Sequence, residues 1–170
     1  EAIVSEEIKQ YKNDQRYFRG LYCGGTFTEE SLIYFNREIP GVTLYSNLKT
    51  KYAQKLADHH NSKGHCILDM GAEDFTSEAP HPVFDPALRI ARLRSELEDP
   101  QVAVVLLDFI TGPGVAEDPI TPFIEAIRQE QEKSDRHITY IANICGSARD
   151  PQNISEKIIL LKEAGVIVTR

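Results

Sequence analysis

The residues that could do chemistry begin with the segment LYCGGTFTEESL at positions 21–32, where Gly24, Gly25 and Thr26 interrupt an apolar run. Thr26 and Glu29 have the T-x-x-E spacing of a capping box, which predicts that Thr26 is the N-cap of a helix. The free N–H groups and the dipole at such a helix start form an anion site. The pattern thus fits either a simple turn and cap or a phosphate cradle.

Other strand ends in the sequence also lead into small residues. Ligands of open parallel sheets bind at the carboxyl ends of the strands, so these residues are predicted to line a pocket. Asp108 follows the apolar run VAVVLL and is a candidate base, orienting group or metal ligand, or else a loop anchor. The small residues assigned to the pocket are Gly71, Gly112, Gly114, Cys145 and Gly146.

His81 is the second catalytic candidate beside Asp108. It lies in the irregular stretch GAEDFTSEAPHPVF, and it is either a nucleophile or proton carrier or a packed loop residue. Cys23 and Cys145 also fall at strand ends. A catalytic cysteine needs a neighbouring histidine or helix N-terminus to lower its pKa, and both thiols are predicted instead to be small buried hydrophobes.

No metal site is predicted from the sequence, because His59, His60 and His65 lack zinc-type spacing relative to the cysteines. The Gly-x-Gly-x-x-Gly dinucleotide fingerprint and the Walker loop are both absent from the sequence.

Composition narrows the class of protein. The 170 residues carry a net charge of −7, which argues against nucleic acid or an anionic membrane as a partner. No apolar stretch is long enough to span a bilayer. Three cysteines predict reduced thiols in a soluble, cytoplasmic protein.

Short apolar runs alternate with helical patterns from residue 17 onward. This alternation predicts a flavodoxin-like, three-layer α/β sandwich with a mainly parallel five-stranded sheet over residues 17–170. Residues 1–16 are predicted to be a linker or entry helix, and Val42–Tyr45 is a weaker strand candidate. The five predicted strands are Phe18–Cys23, Cys66–Met70, Val102–Leu107, Ile138–Ile144 and Val166–Val168.

Three Asp-Pro pairs predict helix starts with the proline as the first helical residue. They are Asp85-Pro86, Asp118-Pro119 and Asp150-Pro151, and Gly165 is predicted to end the last helix. The chain begins at Glu1, has Met70 as its sole methionine and stops just after a strand. It is therefore expected to be cut from a longer protein and to lack a final covering helix.

The segments GLYCGGTFTEESL, HCILDMGAEDFTSEAPHPVFDPALR and DPQVAVVLLDFITGPGVAEDP, in this order, resemble the FdrA family of acyl-CoA synthetase-related proteins. These are similar to the alpha chain of succinyl-CoA synthetase. The resemblance implies the ligase-type domain that follows an N-terminal CoA-binding domain, so CoA would bind outside this chain. It also implies that Gly24, Gly25 and Thr26 bind phosphate and that Asp108 matches the synthetase's acid.

One departure from the synthetase pattern bears on the reaction. The phosphorylated histidine lies in a Gly-His-Ala-Gly segment of the synthetase, whereas the matching stretch here is ANICGSARDPQN. The resemblance therefore implies an enzyme domain that handles an acyl or carbamoyl phosphate together with other subunits or domains. The alternatives are a subunit of an oxamate carbamoyltransferase-type complex in purine catabolism, or a non-catalytic assembly domain.

Overall fold

The chain folds into a parallel sheet with helices on both faces, as seen in a computed structural model that describes residues 2–169. Every paired strand runs parallel to its neighbour. Within the described residues the strands are β1 (Tyr17–Tyr22), β2 (Leu44–Ser46), β3 (Gln54–Lys55), β4 (His65–Asp69), β5 (Val102–Ile110), β6 (Thr139–Cys145) and β7 (Ile167–Thr169). The helices are α1 (Ala2–Ile8), α2 (Gly25–Glu38), α3 (Glu73–Thr76), α4 (Ala87–Leu97), α5 (Thr121–Lys133) and α6 (Ile154–Glu163).

The sheet has the strand order β3-β2-β4-β1-β5-β6-β7, with β1 in the middle. The prediction of a flavodoxin-like parallel sandwich is confirmed, but the prediction of five strands is wrong, since the sheet has seven strands within residues 2–169. The weaker strand candidate Val42–Tyr45 overlaps β2. The edge strand β3 has only two residues, both exposed, and so gave no apolar run to detect.

The helices divide between the two faces of the sheet. Helices α4, α5 and α6 cover the larger apolar core, which includes Leu93, Phe123 and Leu161. Helix α2 covers the smaller one, with Leu32 packed among residues of β1, β4 and β5. Strand β5 contributes to both cores, as its continuous apolar run predicts for a strand buried on both faces.

The Asp-Pro pairs give mixed results as helix starts. Asp85 Oδ1 accepts the N–H of Ala87 at 2.9 Å, and Asp118 Oδ1 accepts the N–H of Thr121 at 2.9 Å. Each aspartate thus satisfies a free donor at a helix start, but the helices begin one and two residues after their prolines. Asp150 does not cap α6, which starts at Ile154, because its carboxylate is bonded elsewhere.

Gly165 follows the end of α6 in the left-handed conformation, with φ of +81°, and confirms the predicted helix stop.

The entry segment contacts the amino ends of the central strands. Helix α1 is shorter than the predicted 1–16 helix and has no buried residue, and Glu1 lies outside the described residues. Gln15 Nε2 donates to Val102 O at 2.9 Å and to His137 O at 2.6 Å. These bonds hold the chain at the beginning of β5 and β6.

A buried charge lies in the middle of β1. The Arg19 side chain is only 2% exposed, and it donates to Glu96 Oε2 and to Asp99 Oδ2 at 2.7 Å each. Because both acids stand at the end of α4, the arginine ties that helix to the central strand. A buried guanidinium would destabilise the fold without such partners.

Candidate functional site

The carboxyl ends of β4, β1 and β5 lie side by side, and the chain changes direction there. From β1 it passes to β2, β3 and β4 on one side, and then crosses to β5, β6 and β7 on the other. Ligands of open α/β sheets bind in the crevice at such a reversal. The predicted site residues lie near the ends of these strands and of β6, or in the segments that follow them.

Helix α2 begins two residues after Cys23, with Gly24 as its N-cap. Gly24 is extended, with φ of −168° and ψ of 166°, and no side chain of the described residues caps the helix. The prediction that Thr26 is the N-cap is wrong, because the helix starts at Gly25 and Thr26 is an exposed residue inside its first turn. The N-terminus of this 14-residue helix therefore keeps its N–H groups free of side-chain partners.

The two glycines of this turn have different surroundings. A Cβ built on Gly24 would meet nothing within 4 Å, so the turn faces open space at this residue. A Cβ built on Gly25 would lie 3.2 Å from Asp69 Oδ2. Gly25 thus makes room for a carboxylate of the neighbouring strand, whereas Gly24 leaves room for something outside the chain.

Asp108 is fully buried behind this turn and is held by an arginine that the sequence analysis missed. Its Oδ1 accepts the N–H of Cys23 at 2.8 Å and Nη2 of Arg89 at 2.9 Å. Arg89 also donates to Leu21 O at 2.9 Å and contacts Cys23 Sγ at 2.8 Å. Asp108 Oδ2 is buried without a hydrogen-bond partner among the described residues. The carboxylate is therefore an anchor of the turn, with one oxygen unused.

Asp69 is the second carboxylate at this edge. Its backbone exchanges two hydrogen bonds with the Asn47 side chain, at 2.9 and 3.0 Å, and its Oδ1 accepts the N–H of Gly71 at 2.9 Å. Burial raises the pKa of Asp69, the Gly71 N–H and His81 oppose this rise, and the nearby Asp108 adds to it. The sequence signal for Asp69 was its position at the end of a buried strand.

His81 lies against Gly71, where a Cβ would come within 2.5 Å of its Nε2 and would also clash with Cys23 O. Its Nδ1 accepts the N–H of Val83 at 3.2 Å, so Nε2 carries the proton of the neutral ring. The structure therefore brings His81, Asp69 and the start of α2 to one edge of the sheet.

The other predicted pocket residues form a separate group at the ends of β5 and β6. Gly112 exchanges hydrogen bonds with the Gln152 side chain, at 3.0 Å to its N–H and 2.9 Å to its carbonyl. A Cβ on Gly146 would clash with Thr111 Oγ1, which donates to Asp150 at 2.7 Å. Gly114 has φ of +84° and open space around it. These glycines serve close packing and turns in this loop pair.

The two cysteines at strand ends differ in exposure. Cys23 is buried as predicted, and burial raises its pKa to about 12, with Asp108 adding to the rise and Arg89 opposing it. The prediction that Cys145 is buried is wrong, because it is the last residue of β6 and is exposed beyond the sheet. A thiol with the pKa of Cys23 is a poor nucleophile at neutral pH.

Two further features lie away from this edge. A cleft of about 580 Å³ opens at the amino ends of the strands, beside Lys12, Pro100 and Arg136, and contains none of the predicted site residues. Within residues 2–169, one group of side chains of metal-binding type was found, comprising Asp58, His59 and His60 in the connection from β3 to β4. The candidate site is thus defined by chemistry and topology rather than by cavity size.

At this edge the structure combines an anion-attracting helix start with groups that can exchange protons. The positive end of α2 faces open space at Gly24, Asp69 has a raised pKa, and His81 presents Nε2 beside Gly71. The charge of Asp108 is balanced by Arg89. Such an arrangement can hold a small oxyanion and move a proton next to it.

Comparison with known proteins agrees with this architecture. Residues 21–170 match the family model described as CoA-ligase. The chain is also 34% identical over 171 residues to the uncharacterized protein YahF of Escherichia coli (strain K12), covering 99% of this chain and 33% of that protein. The chain thus spans about a third of the length of that relative. No helix within residues 2–169 has the length and apolar character needed to cross a membrane. The chain belongs to the CoA-ligase family.

Proposed function

We propose that this chain is the domain of an FdrA-like, acyl-CoA synthetase-related enzyme that handles an acyl or carbamoyl phosphate at the start of α2. The observation that carries the proposal is the N-terminus of α2, which no side chain within residues 2–169 caps and which faces open space at Gly24. It lies at the carboxyl ends of the strands, where the order of the strands reverses. The phosphate would accept hydrogen bonds from the free N–H groups of Gly25 and Thr26. Membership of the CoA-ligase family supports this assignment.

In one direction, the nucleophilic atom of an acceptor bonds the acyl or carbamoyl carbon while the bond from that carbon to a phosphate oxygen breaks. In the other direction, a phosphate oxygen bonds that carbon and the acceptor leaves. Free phosphate is then the leaving group or the nucleophile, and the helix start stabilises its charge. His81 or Asp69 would deliver or remove the proton that accompanies the step. Burial raises the pKa of Asp69, so its acid form persists closer to neutral pH than that of an ordinary aspartate.

Coenzyme A fits this edge poorly. Its nucleotide carries several phosphates, but Arg89 at this edge is buried and committed to Asp108. We therefore place any CoA binding outside residues 2–169, in another domain or subunit of the whole enzyme, and assign no step of the reaction to it.

The residues at the end of β6 and directly after it favour carbamoyl transfer over nucleotide-driven ligation. The segment 142–153 holds no histidine, and by the resemblance it matches the synthetase segment that carries the phosphorylated residue. A transfer between a carbamoyl group and phosphate requires an anion cradle and no phosphohistidine. The same absence is what a non-catalytic assembly domain would show, so binding must decide between the two.

Gly24→Val is the variant that tests the cradle. Its extended backbone accepts any residue and its Cβ meets nothing within 4 Å, so the fold should be unchanged while the side chain occupies the proposed phosphate position. We expect carbamoyl phosphate to shift the amide resonances of Gly24, Gly25 and Thr26 in the wild type. The affinity should fall by at least about tenfold in Gly24→Val, equivalent to about 1.4 kcal/mol.

Glu29→Ala is the matched control, because Glu29 is an exposed residue of the same helix and caps nothing. It should bind carbamoyl phosphate like the wild type. Saturable shifts that are stronger for carbamoyl phosphate than for phosphate would favour transferase chemistry. An absence of shifts at millimolar ligand would reject the cradle and favour the assembly domain.

A further inference from the structure

The connection from β3 to β4 and the segment after α3 bring four side chains of metal-binding type together, away from the crevice described above. The ligand atoms of Asp58, His59 and His60 all lie within 4.8 Å of one another. Glu78 reaches the same place from the other segment, with its Oε1 3.6 Å from His59 Nε2 and 3.2 Å from His60 Nε2. Carboxylates and imidazoles are the ligands that zinc-class cations prefer.

Two separations within this group are close to those of a coordination shell. Zinc lies about 2.0–2.2 Å from nitrogen and oxygen ligands, so neighbouring ligands of a tetrahedral site are roughly 3.3–3.6 Å apart. The distances from Glu78 Oε1 to the two imidazole nitrogens, 3.6 and 3.2 Å, are close to this range. His60 and Glu78 are 54% and 44% exposed, so their side chains have room to adjust around an ion.

His59 supplies an independent indication of a ligand. Its Nε2 is buried and has no hydrogen-bond partner among the described residues. A buried polar atom without a hydrogen bond destabilises the fold, and native structures contain few such atoms. A cation next to Glu78 would accept the lone pair of this nitrogen and so give it a partner.

The backbone around His59 is fixed before any ion binds. Arg92 Nη1 donates to His59 O at 2.7 Å, and the imidazole packs edge-on against Phe75, with ring centroids 4.9 Å apart. Asp58 Oδ1 accepts the N–H of His60 at 2.9 Å. The His59 ring is thereby held against α3, whose chain continues directly to Glu78. A site built on such a fixed frame loses little entropy on binding.

We propose that Asp58, His59, His60 and Glu78 bind one divalent cation of the zinc class. Asp58 retains lone pairs for the ion, because each oxygen of an ionised carboxylate accepts more than one bond. The ion joins the β3–β4 connection to the segment 77–86, which also carries His81. Bound metal therefore stabilises the chain segment that brings His81 to the crevice.

Titration of the metal-stripped chain with zinc chloride tests this site, with calorimetry giving stoichiometry and affinity. We expect one ion per chain in the wild type. His60→Ala and Glu78→Gln each remove one ligand from an exposed position, and should weaken binding by more than the roughly tenfold that loss of an outer-shell partner costs. Zinc should also raise the Tm of the wild type and not that of the two variants.

His137→Ala is the matched control, because His137 pairs with Glu7 at 2.7 Å in another part of the chain. Cys145→Ser removes the exposed thiol, which is a further group able to bind zinc. Both should bind zinc like the wild type, and circular dichroism checks that all four variants are folded. Absence of stoichiometric binding, unchanged affinity in His60→Ala and Glu78→Gln, or a loss confined to Cys145→Ser would overturn the proposal.

Discussion

Arg89 and Asp108 form a buried ion pair whose energetic coupling can be measured. Their side chains are 2% and 1% exposed, and 2.9 Å separates Nη2 from Oδ1. Arg89→Met leaves the carboxylate buried without its counter-charge, which typically costs about 3–5 kcal/mol. At about 2–4 °C per kcal/mol for a chain of this size, the Tm should fall by roughly 6–20 °C.

Asp108→Asn removes the charge while keeping an oxygen that can accept the N–H of Cys23. The double variant Arg89→Met/Asp108→Asn should therefore be more stable than the sum of the single effects predicts, by about 2 kcal/mol. Urea unfolding followed by circular dichroism gives the four free energies of the cycle. Arg94→Met is the control, because this exposed residue of the same helix bonds only Gln129 among the described residues, and it should stay within about 0.5 kcal/mol of the wild type.

Additivity of the two single changes within about 0.5 kcal/mol would refute the reasoning, since it would mean that the charges do not interact. A cost for Arg89→Met no larger than that of Arg94→Met would do so as well. Asp108→Asn also tests whether the Asp108 carboxylate takes part in binding carbamoyl phosphate. If the variant remains folded and binds carbamoyl phosphate like the wild type, Asp108 is an anchor of the turn and not a binding group.

Two further outcomes are expected. Cys145 is exposed while the other two thiols are buried, so a thiol reagent should modify one cysteine rapidly in the native chain and three after denaturation; rapid modification of two or more native thiols would contradict the assigned burial. Burial alone would raise the pKa of Asp118, but hydrogen bonds from Lys157 and from Thr121 lower it to about 2, below its ordinary 3.8. The stabilisation is therefore present above about pH 4 and lost as the pH falls toward 2. The difference in Tm between wild type and Asp118→Asn should shrink across that window, and a constant difference would speak against this origin.

The sequence predicted the strand-and-helix pattern well where the signal was an apolar run. Strand β5 is the clearest case, because eight consecutive residues from Val102 to Phe109 include only one charge. Strand β3 could not be found in this way, since two exposed residues pair with β2 only because the adjacent strand offers a free edge. Pairing of this kind depends on tertiary contacts, which a local pattern does not record.

The sequence pointed to the glycines and to Asp108 at this edge, but it did not point to Arg89, which pairs with Asp108. Gly24, Gly25 and Gly71 stood out because they follow apolar runs. Arg89 looked like an ordinary polar residue of an amphipathic helix, and its burial depends on where α4 packs against β1 and β5. Thr26 was misplaced for a related reason: the capping-box spacing is local, whereas the helix start is set by the end of β1 three residues earlier.

The proposed cation site of Asp58, His59, His60 and Glu78 likewise depends on contacts that a local sequence pattern does not record. His59 and His60 are adjacent in the sequence, but the sequence analysis compared histidines with cysteines and predicted no metal. Glu78 lies 18 residues beyond His60, and it reaches the histidines only because α3 turns the chain back toward the β3–β4 connection. The proposal therefore rests on a contact that the spacing of residues did not reveal.

The position of Arg19 in the central strand has a consequence for the chain during its synthesis. Strand β1 ends at residue 22, yet its partners β4 and β5 are complete only at residues 69 and 110. At about 5–20 residues per second, the apolar segment around β1 waits on the order of 5–20 s for its second partner. A charged residue inside such a segment opposes its association with other unfinished chains. We therefore expect the guanidinium that later ties α4 to the sheet to oppose aggregation of β1 until the sheet encloses this strand.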